Sequence, residues 1–363
     1  MKQSVKSDVH DAQLTQADIT GQVNQFLDDF FAANIIRSEL LDANYAQLWR
    51  TMHEQTKAGG KRLRPYFVML AYAAYGGRAY DSVIPVAAAQ ELLHISLLMH
   101  DDIIDKDYIR HGQANLAGIM RTTYQESGAA DNAEHFANSA ALLAGDLLIS
   151  GAYQLIIKSS LDADQKMLAL SSLSDAIFLV GGGELLDTEA SFRPITVDDA
   201  LKIADFKTAR YSFVSPLLSG AGLAGASQNQ QDLLEEFGIA LGIAFQLADD
   251  LLGIFGDPHV TGKSNLGDIR EGKQTYLMLQ ALQLAKPAEK SLLRACLGNP
   301  DLTVLQAQQV QEIITSSGAK AACQKVITTY AQQAHEILAQ LDIPSSHKQA
   351  FQKIITKATE RTF

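Results

Sequence analysis

A first cluster of acidic side chains, Asp101, Asp102 and Asp105, follows the apolar segment LLHISLLMH at 92–100. On a helix, residues four apart share a face, so Asp101 and Asp105 point the same way, one turn apart. Two like charges at this spacing destabilise a helix unless a cation holds them. Mg²⁺ commonly takes one or two carboxylates together with water and substrate phosphates. The alternative is a solvated acidic helix end, but such an end rarely follows a face this apolar.

A second acidic cluster, Asp249 and Asp250, also ends an apolar segment, in FQLADDLLGIFGD at 245–257. An uncompensated buried charge costs on the order of several kcal/mol, so a metal ion or a salt bridge must stabilise these carboxylates. Asp257 and Asp268 follow in the next loop. Because each aspartate cluster ends an apolar helix, we predict that the two clusters form opposite walls of one cavity. Such a cavity would bind metal ions, and the ions would bind a diphosphate.

A compact basic turn, GGKRLRP at 59–65, precedes a predicted helix. Lys61 and Arg64 are three residues apart and are expected to share a helix face. Arginine makes planar bidentate contacts with phosphate, lysine supplies a mobile point charge, and glycine allows close backbone approach to an anion. The alternative is a plain surface turn.

Further cations follow or flank the acidic clusters; these are Arg110, His111, Lys207, Lys263 and Lys273. Lys207 and Thr208 stand where another helix is predicted to begin. His94 lies seven residues before Asp101 and therefore on roughly the same helix face. Taken alone, a histidine in such an apolar segment is more often a satisfied core residue.

The elements that must position these side chains read as helices. Apolar residues recur at helical spacing almost throughout, without sustained two-residue alternation, so the expected class is all-α. We expect ten or more helices, with a few nearly apolar ones at the centre. Pro216 lies inside an apolar segment and is expected to kink its helix. Predicted capping boxes mark three helix starts: Ser227 with Gln230, Thr303 with Gln306, and Thr196 with Asp199.

Composition excludes several classes of protein. The 363 residues carry a formal charge of −11, which disfavours non-specific binding of nucleic acid. The two cysteines, Cys296 and Cys323, form neither a disulfide framework nor a CxxC metal pair, and they suit a reducing cytoplasm. The N-terminus lacks the apolar core of a signal peptide, and no membrane span is indicated. We expect a cytoplasmic protein with a disordered tail at 1–15 and a single domain over 16–363.

The ordered set of segments resembles the polyprenyl synthetase family, the trans-isoprenyl diphosphate synthases. The matching segments are GGKRLRP at 59–65, ELLHISLLMHDDIIDKDYIRHG at 91–112, FKTA at 206–209 and FQLADDLLGIFGDPHVTGKSNLGDIREGKQT at 245–275. Each segment alone is moderately specific, whereas their order is highly specific. The resemblance implies the all-helical isoprenoid synthase fold around a central apolar cavity, a homodimer, and two or three Mg²⁺ ions in each active site.

The resemblance also implies roles for individual residues. Asp101, Asp105 and Asp249 resemble the metal ligands that grip an allylic diphosphate, with Asp102 and Asp250 beside them. Thr208 and Gln246 match positions near the reacting carbons, where a polar oxygen stabilises developing positive charge. The remaining matches bind the two diphosphates: Lys61, Arg64, His94 and His111 for isopentenyl diphosphate, and Arg110, Lys207, Lys263 and Lys273 for the allylic diphosphate.

Two positions depart from the family pattern. His111 stands where a second arginine is common, and histidine is only partly charged near neutrality. Gly253 stands where the second motif often has its last aspartate, so a metal contact is lost, shifted to Asp257, or made through water. The resemblance implies condensation of an allylic diphosphate with isopentenyl diphosphate by ionisation, condensation and elimination. In family members that stop at fifteen carbons, bulky aromatic residues often stand four or five positions before the first motif. Here Ser96 and Leu97 occupy these positions and are not aromatic, so the resemblance implies a product of twenty carbons or more.

Three alternatives remain open at this stage. A class I terpene cyclase would share the fold and the metal chemistry but would not need the basic turn and His94. A non-catalytic partner subunit of a heteromeric synthase would tend to lose its aspartates, and both pairs are present. A purely structural helical bundle would leave the paired carboxylates unexplained.

Overall fold

The computed structural model describes residues 15–57, 60–110, 112–126, 130–256 and 267–359, and these ranges are dominated by α-helix, as the sequence predicts. The α-helices are α1 (Gln16–Glu39), α2 (Ala43–Lys57), α3 (Leu63–Ala74), α4 (Tyr80–Ile104), α5 (Leu116–Glu126), α6 (Ala133–Lys158), α7 (Ala163–Ala190), α8 (Val197–Ile203), α9 (Ser215–Leu223), α10 (Gln228–Phe255), α11 (Gly267–Arg270), α12 (Tyr276–Leu284), α13 (Pro287–Cys296), α14 (Val304–Ser316), α15 (Ala319–Gln340) and α16 (Ser345–Thr359). A π-helical segment, Ala204–Val214, joins α8 to α9.

The other regular elements are short. A 3₁₀ turn, Ala130–Asn132, precedes α6. Strands β1 (Ile109–Arg110) and β2 (Gln113–Ala114) form an antiparallel pair just after α4. This small hairpin turns the chain back toward the C-terminal end of α4.

Helix α4 lies in the centre of the N-terminal half, where it packs against α6, α3 and α1. Its residues Val86, Leu92 and Leu93 are fully buried. In the C-terminal half, α10 packs along the π-helical segment and α15. The two acidic clusters end these two central helices, which places both at the same end of the bundle.

Two of the three predicted capping boxes are confirmed. The hydroxyls of Thr196 and Thr303 accept hydrogen bonds from the backbone three residues on, and Asp199 and Gln306 reciprocate. The box at Ser227 is wrong, because this residue begins α10 without a side-chain cap. Pro216 is the second residue of α9, so the predicted disruption of the helix coincides with the change from π-helical to α-helical backbone.

The N-terminal tail lies almost wholly outside the described residues. Thr15 is the exception, because its hydroxyl caps α1 in a capping box with Asp18. The disordered tail at 1–15 stays a prediction. The single domain over 16–363 stays a prediction.

Among the helices that the structure describes, four (α4, α6, α7 and α10) are long and apolar enough to cross a membrane by length and composition alone. Their burial differs widely. In α4, 72% of the helix's most apolar 18-residue stretch is buried, whereas in α7 only 28% of the corresponding stretch is buried. The absence of a membrane span stays a prediction, and the exposed apolar face of α7 needs a separate explanation.

Candidate active site

The last turn of α4 presents the first acidic cluster. Asp105 is the C-cap of α4 and its backbone N–H donates to the carbonyl of Asp101 at 2.8 Å, so the two carboxylates lie one turn apart as predicted. Arg110 on β1 reaches back and donates to Asp102 at 2.6 and 2.9 Å and to Asp101 at 3.1 Å. Burial raises the pKa of Asp102 to about 6 despite this arginine. The hairpin thus holds Arg110 against the acidic end of α4.

Lys207 is the cation at the centre of this acidic region. Its Nζ lies 3.2 Å from Asp101, 2.9 Å from Glu184 and 2.7 Å from Asp187. Burial lowers the pKa of Lys207, but the three carboxylates prevail and hold that pKa well above its ordinary value. These carboxylates therefore stabilise the charged form of Lys207.

Glu184 and Asp187 on α7 are site residues that the sequence analysis missed. They are three residues apart, so they share a helix face. Gly183, just before Glu184, is the sequence signal that could have revealed them. A Cβ at Gly183 would lie 2.5 Å from the backbone nitrogen of Lys207. Glycine lets α7 approach the π-helical segment closely, which brings both acids to Lys207. π-Helical segments occur frequently at functional sites.

Lys273 joins the first acidic cluster to the segment after α11. Its Nζ lies 3.0 Å from Asp105 and 2.7 Å from Glu271. Its backbone N–H donates to the carbonyl of Asp268 at 3.0 Å, which fixes the turn that carries it. Lys207 and Lys273, from distant parts of the chain, therefore both contact the carboxylates that end α4.

The second acidic cluster lies in the last turns of α10. Thr208 donates its hydroxyl hydrogen to Gln246 Oε1 at 2.6 Å, and Gln246 Nε2 donates to Asp250 at 2.8 Å. Burial raises the pKa of Asp250 well above its ordinary value, although the hydrogen bond from Gln246 opposes this, and nearby carboxylates including Asp249 add to it. These two hydrogen bonds fix the side chains of Thr208 and Gln246, which both line the cavity of the site.

The two acidic clusters line one cavity of about 200 Å³, as the sequence predicts. Asp101 and Asp249 both line this cavity, together with Lys207 and Lys273, which contact Asp101 and Asp105 respectively. The role of each of these side chains as a ligand stays a prediction. The residues of the cavity that carry charge or a polar side chain are Asp101, Asp187, Lys207, Thr208, Gln246, Asp249, Asp250, Asp268, Lys273, Gln274, Thr275 and Tyr276.

Asp268 occupies the space that the departure at Gly253 leaves open. A Cβ on Gly253 would lie 2.2 Å from Asp268 Oδ2. Any side chain at position 253 would therefore displace this carboxylate from the cavity. Of the alternatives left open for the missing aspartate, Asp257 lies outside the described residues, whereas Asp268 places a carboxylate at the same turn of α10.

A second group of polar side chains lies beside the cavity. Arg64 Nη2 donates to Tyr211 Oη at 3.0 Å and to Ser212 Oγ at 2.7 Å, and the guanidinium lies 4.7 Å from the centre of the Tyr211 ring. The His94 ring centroid is 6.2 Å from that of Tyr211. His94 Nδ1 and Arg64 Nε are buried without a hydrogen-bond partner among the described residues. These orphaned donor and acceptor atoms indicate a polar ligand.

The electrostatics of His94 favour its neutral form. Burial lowers its pKa well below the ordinary value, and the charges of Arg64, Arg110 and Arg62 lower it further. His94 lies two turns before Asp101 on α4, so the second group adjoins the first acidic cluster. An anion bound between them would contact both.

The predicted shared face of Lys61 and Arg64 is wrong. Helix α3 begins at Leu63, so Lys61 lies before it in an exposed position, and its carbonyl accepts a hydrogen bond from Gln16. Arg62, which the sequence analysis left without a role, adopts a left-handed φ of 45°. This geometry turns the Arg62 side chain into the core.

Arg62 forms a buried network that supports the basic turn. Its guanidinium lies 2.8 Å from Glu91 and donates to Asn24 at 2.8 Å and to the carbonyl of Thr56 at 2.7 Å. These contacts tie α1, α2 and α4 to the start of α3. They hold the backbone from which Arg64 projects.

The proposed chain-length residues differ in their surroundings. Ser96 is fully buried and donates its hydroxyl hydrogen to the carbonyl of Leu93 at 2.7 Å, whereas Leu97 is partly accessible. Their effect on product length stays a prediction. His111 and Lys263 lie outside the described residues.

The carboxylates of the cavity fit Mg²⁺. Among the described residues no group of three acidic, histidine or cysteine side chains converges to hold an ion unaided. Mg²⁺ does not need such a group, since it typically binds one or two carboxylates and completes its octahedron with water and phosphate oxygens. The carboxylates that line the cavity outnumber its two lysines. This excess of negative charge is suited to divalent cations.

Comparisons with known proteins agree with this geometry. Residues 46–314 match the family model for polyprenyl synthetase. A geranylgeranyl diphosphate synthase of Sulfolobus acidocaldarius is 32% identical over 300 residues, covering 80% of this chain and 84% of that protein. A geranylfarnesyl diphosphate synthase of Aeropyrum pernix is 32% identical over 312 residues, covering 84% and 91%.

A solved structure extends the likeness to the fold. The geranylgeranyl pyrophosphate synthase of Corynebacterium glutamicum, crystallised with isoprenyl diphosphate and magnesium, superposes with a TM-score of 0.92 at 30% identity. The match covers 96% of this chain and 100% of that one. It confirms the expected isoprenoid synthase fold. The chain therefore belongs to the polyprenyl synthetase family.

Proposed function

We propose that this protein is a trans-prenyl diphosphate synthase that condenses an allylic diphosphate with isopentenyl diphosphate to a product of twenty carbons or more. The observation that carries this function is one cavity lined by residues of both aspartate clusters and by two lysines, with a separate cationic group beside it. The named relatives make twenty-carbon and longer products, which supports the product range.

The allylic diphosphate would lie between the acidic walls. Lys207, Lys273 and Arg110 supply positive charge where the leaving diphosphate carries its negative charge. Asp101, Asp105 and Asp249 would hold Mg²⁺, in two or three ions, and Mg²⁺ bound there would offset further negative charge on the leaving group.

Isopentenyl diphosphate would bind beside Arg64 and His94. Arg64 offers an orphaned Nε and His94 an orphaned Nδ1, and the adjacent basic turn contributes Lys61 at the surface. A second diphosphate at this position brings two substrates into contact, and fixed geometry can lower the barrier by many kcal/mol, roughly 7–11 in well-oriented systems.

The proposed reaction has three steps, which are ionisation, condensation and elimination. The bond between C1 and oxygen of the allylic diphosphate breaks, and the diphosphate leaves with the electron pair. The double bond of isopentenyl diphosphate attacks C1, a carbon–carbon bond forms, and a proton is lost to the released diphosphate. Thr208 and Gln246 carry oxygen atoms near this centre, where they stabilise developing positive charge. Water must be excluded, because it would quench the cation.

The polar group of Arg64 and His94 helps to distinguish this function from two alternatives, a terpene cyclase and a non-catalytic partner subunit. A terpene cyclase has no second diphosphate to bind, so the pair of Arg64 and His94 would serve no purpose there. A non-catalytic partner subunit would not need Lys207 and Lys273 to lie among intact carboxylates. Neither alternative accounts for both groups together.

The exposed apolar face of α6 and α7 supports a homodimer. Phe178 and Leu185 on α7 are 81% and 69% exposed, and Leu143 and Ile157 on α6 are 56% and 57% exposed. Positions 178 and 185 share one helix face. Contiguous apolar surface of this kind marks an interface with another chain. Phe178→Asp should convert a dimer to a monomer in sedimentation experiments, and a wild-type monomer would contradict this part of the proposal.

We further propose that the enzyme acts in the cytoplasm. Both cysteines, Cys296 and Cys323, are buried and unpaired, and burial raises the pKa of each thiol. Unreactive reduced thiols suit a reducing compartment.

The decisive experiment incubates purified protein with isopentenyl diphosphate, Mg²⁺ and allylic diphosphates of five, ten or fifteen carbons, followed by sizing of the products. We expect elongation to products of at least twenty carbons and its loss in Asp249→Ala. Absence of elongation with every primer would favour the partner subunit. Farnesyl diphosphate as the sole product would contradict the proposed product range.

A further inference from the structure

Asn115 lies between the hairpin that carries Arg110 and the first turn of α5, and it is 2% exposed. Its Nδ2 donates to the carbonyl of Asp107 at 2.8 Å, and its Oδ1 accepts from the backbone N–H of Gly118 at 2.8 Å. Its own backbone N–H donates to the carbonyl of Tyr108 at 3.1 Å. Asn115 therefore closes the base of the hairpin and joins it to α5.

The base of the hairpin is also packed closely against its neighbours. A Cβ at Gly118 would lie 2.3 Å from the carbonyl oxygen of Tyr108, so only glycine allows α5 to approach this near. The guanidinium of Arg121 lies 4.6 Å from the centre of the Tyr108 ring. From the other side, Gln55 Nε2 on α2 donates to the carbonyl of Ala114 at 3.2 Å. Two helices thus hold the hairpin in place.

The chain between α4 and the hairpin is held at a single residue, Asp107. Its backbone N–H donates to the carbonyl of Asp102 at 2.8 Å, and its carbonyl accepts from Asn115. The preceding residue, Lys106, has a left-handed φ of 59°, which is uncommon for a residue other than glycine. The amide of Asn115 therefore stabilises a sharp turn three residues before Arg110.

Arg110 needs support from its backbone, because its present partners have another task in the proposed function. Its guanidinium donates to Asp101 and Asp102. Mg²⁺ bound to Asp101 would offset the charge of that carboxylate and weaken its attraction for Arg110. A cation that stabilises a leaving group is most effective when its position is fixed before the reaction. The turn and the hairpin supply that fixed position.

We propose that Asn115 is a positioning residue, which fixes the backbone of Arg110 so that the guanidinium meets the allylic diphosphate. The inference rests on the proposed function and adds a residue to its allylic site. Capping of α5 requires only the side-chain oxygen, which serine or aspartate also provides. The hydrogen bond that Nδ2 donates to Asp107 is the part of this side chain that capping leaves unexplained.

Asn115→Ser provides the first test, because serine still caps α5 but lacks the amide that reaches Asp107. With isopentenyl diphosphate saturating and a fifteen-carbon allylic diphosphate varied, we expect kcat/KM to fall at least about tenfold. A displacement of about 1 Å in a group that positions substrate can cost as much as about 10²-fold. Asp162→Ser is the matched control, since it exchanges the capping residue of α7 for serine. The control should keep the wild-type kcat/KM.

Arg110→Ala distinguishes positioning from a purely structural role. If Asn115 acts through Arg110, adding Asn115→Ser to Arg110→Ala should lower kcat/KM by less than about twofold, because the group that it positions is already gone. Two residues that act independently would instead show the same factor in both backgrounds. That additive result would overturn the proposal.

Asn115→Asp is the second variant, because it keeps the size of the side chain and the acceptor for Gly118. Its carboxylate oxygen faces the carbonyl of Asp107 in place of a donor, so we expect the same loss of at least about tenfold. Wild-type kinetics in either folded variant would overturn the positioning role alone, and so would failure of both variants to fold, which would assign Asn115 to folding. Failure of wild type to elongate any primer would overturn the proposed function instead.

Discussion

The ammonium group of Lys273 lies 3.0 Å from the carboxylate of Asp105, although the two residues are 168 positions apart in the chain. The contact joins the end of α4 to the segment after α11 and closes one side of the cavity. Burial lowers the pKa of Lys273, but Asp105 and Glu271 prevail and raise it far above its ordinary value. The charge of Lys273 is therefore permanent and is available to an entering diphosphate.

Loss of this charge should weaken the allylic site selectively. We expect Lys273→Ala to raise KM for the allylic diphosphate by roughly tenfold or more, as the loss of one charge-assisted contact predicts, and to change KM for isopentenyl diphosphate much less. Steady-state kinetics with each substrate varied in turn measure both values. Lys290→Ala, a partly exposed lysine on α13 whose ammonium donates to the carbonyl of Gln283 and does not line the cavity, should leave both unchanged. Equal effects on the two substrates would argue against the assignment of Lys273.

Asp101 should be needed for both metal binding and turnover. Asp101→Asn keeps the size of the side chain but removes its charge, so we expect kcat to fall by roughly 10²–10³ and half-saturation by Mg²⁺ to shift to higher concentration. Titration of activity with Mg²⁺ measures the shift. Asp301→Asn, on an exposed turn, is the control. Unaltered Mg²⁺ dependence in Asp101→Asn would remove this residue from the metal site.

Gly253 should be needed because Asp268 occupies the space beside it. Gly253→Ala places a Cβ within 2.2 Å of Asp268 Oδ2, which forces the carboxylate to move. We expect lower activity that is partly restored by raised Mg²⁺. Gly21→Ala on α1 is the matched control, because a Cβ there meets nothing within 4 Å. Wild-type activity in Gly253→Ala would show that the position of Asp268 is unimportant.

The buried pair of Arg62 and Glu91 should dominate the stability of the basic turn. Their side chains are 6% and 3% exposed. Glu91→Ala removes the buried carboxylate that pairs with the Arg62 guanidinium, so we expect the free energy of unfolding to fall by about 3–5 kcal/mol. Chemical denaturation measures the loss. The half-exposed pair of Glu189 and Arg193 offers the comparison, and Glu189→Ala should have no measurable effect.

Stability should depend on pH through His94. Because its pKa is lower in the folded protein than in the unfolded chain, the unfolded state binds more protons below about pH 6.5, and stability falls as the pH is lowered through that value. We expect the melting temperature to decrease between pH 8 and pH 5, and the decrease to be smaller in His94→Gln. The same decrease in both proteins would contradict a buried neutral His94.

The sequence predicts the class of fold and the meeting of the two acidic clusters, because both follow from helix periodicity. Asp101 and Asp249 end apolar helices, and packing of those helices leaves little freedom in where their ends lie. Glu184 and Asp187 could not be predicted, because their role depends on how closely α7 approaches the π-helical segment. Gly183 is the one residue of this stretch whose type indicates that close approach. Periodicity also cannot reveal a π-helix, since its extra residue per turn alters which side chains share a face.

The start of α3 shows a different limit. The expected shared face of Lys61 and Arg64 assumed a helix through both residues, but the left-handed backbone at Arg62 separates them. That conformation is uncommon for a residue other than glycine, and it is held by the buried contacts of the Arg62 side chain. A tertiary contact thus decides the local structure, which no local pattern could have predicted.

The π-helical segment carries Lys207 at one point and Tyr211 and Ser212, the partners of Arg64, one turn later. A shift of this segment caused by an anion at Lys207 must therefore also move the groups that orient Arg64. The two substrates are then thermodynamically coupled, so each should change the affinity of the other by the same factor. The order in which the two substrates bind would then depend on this one short segment of backbone, Ala204–Val214.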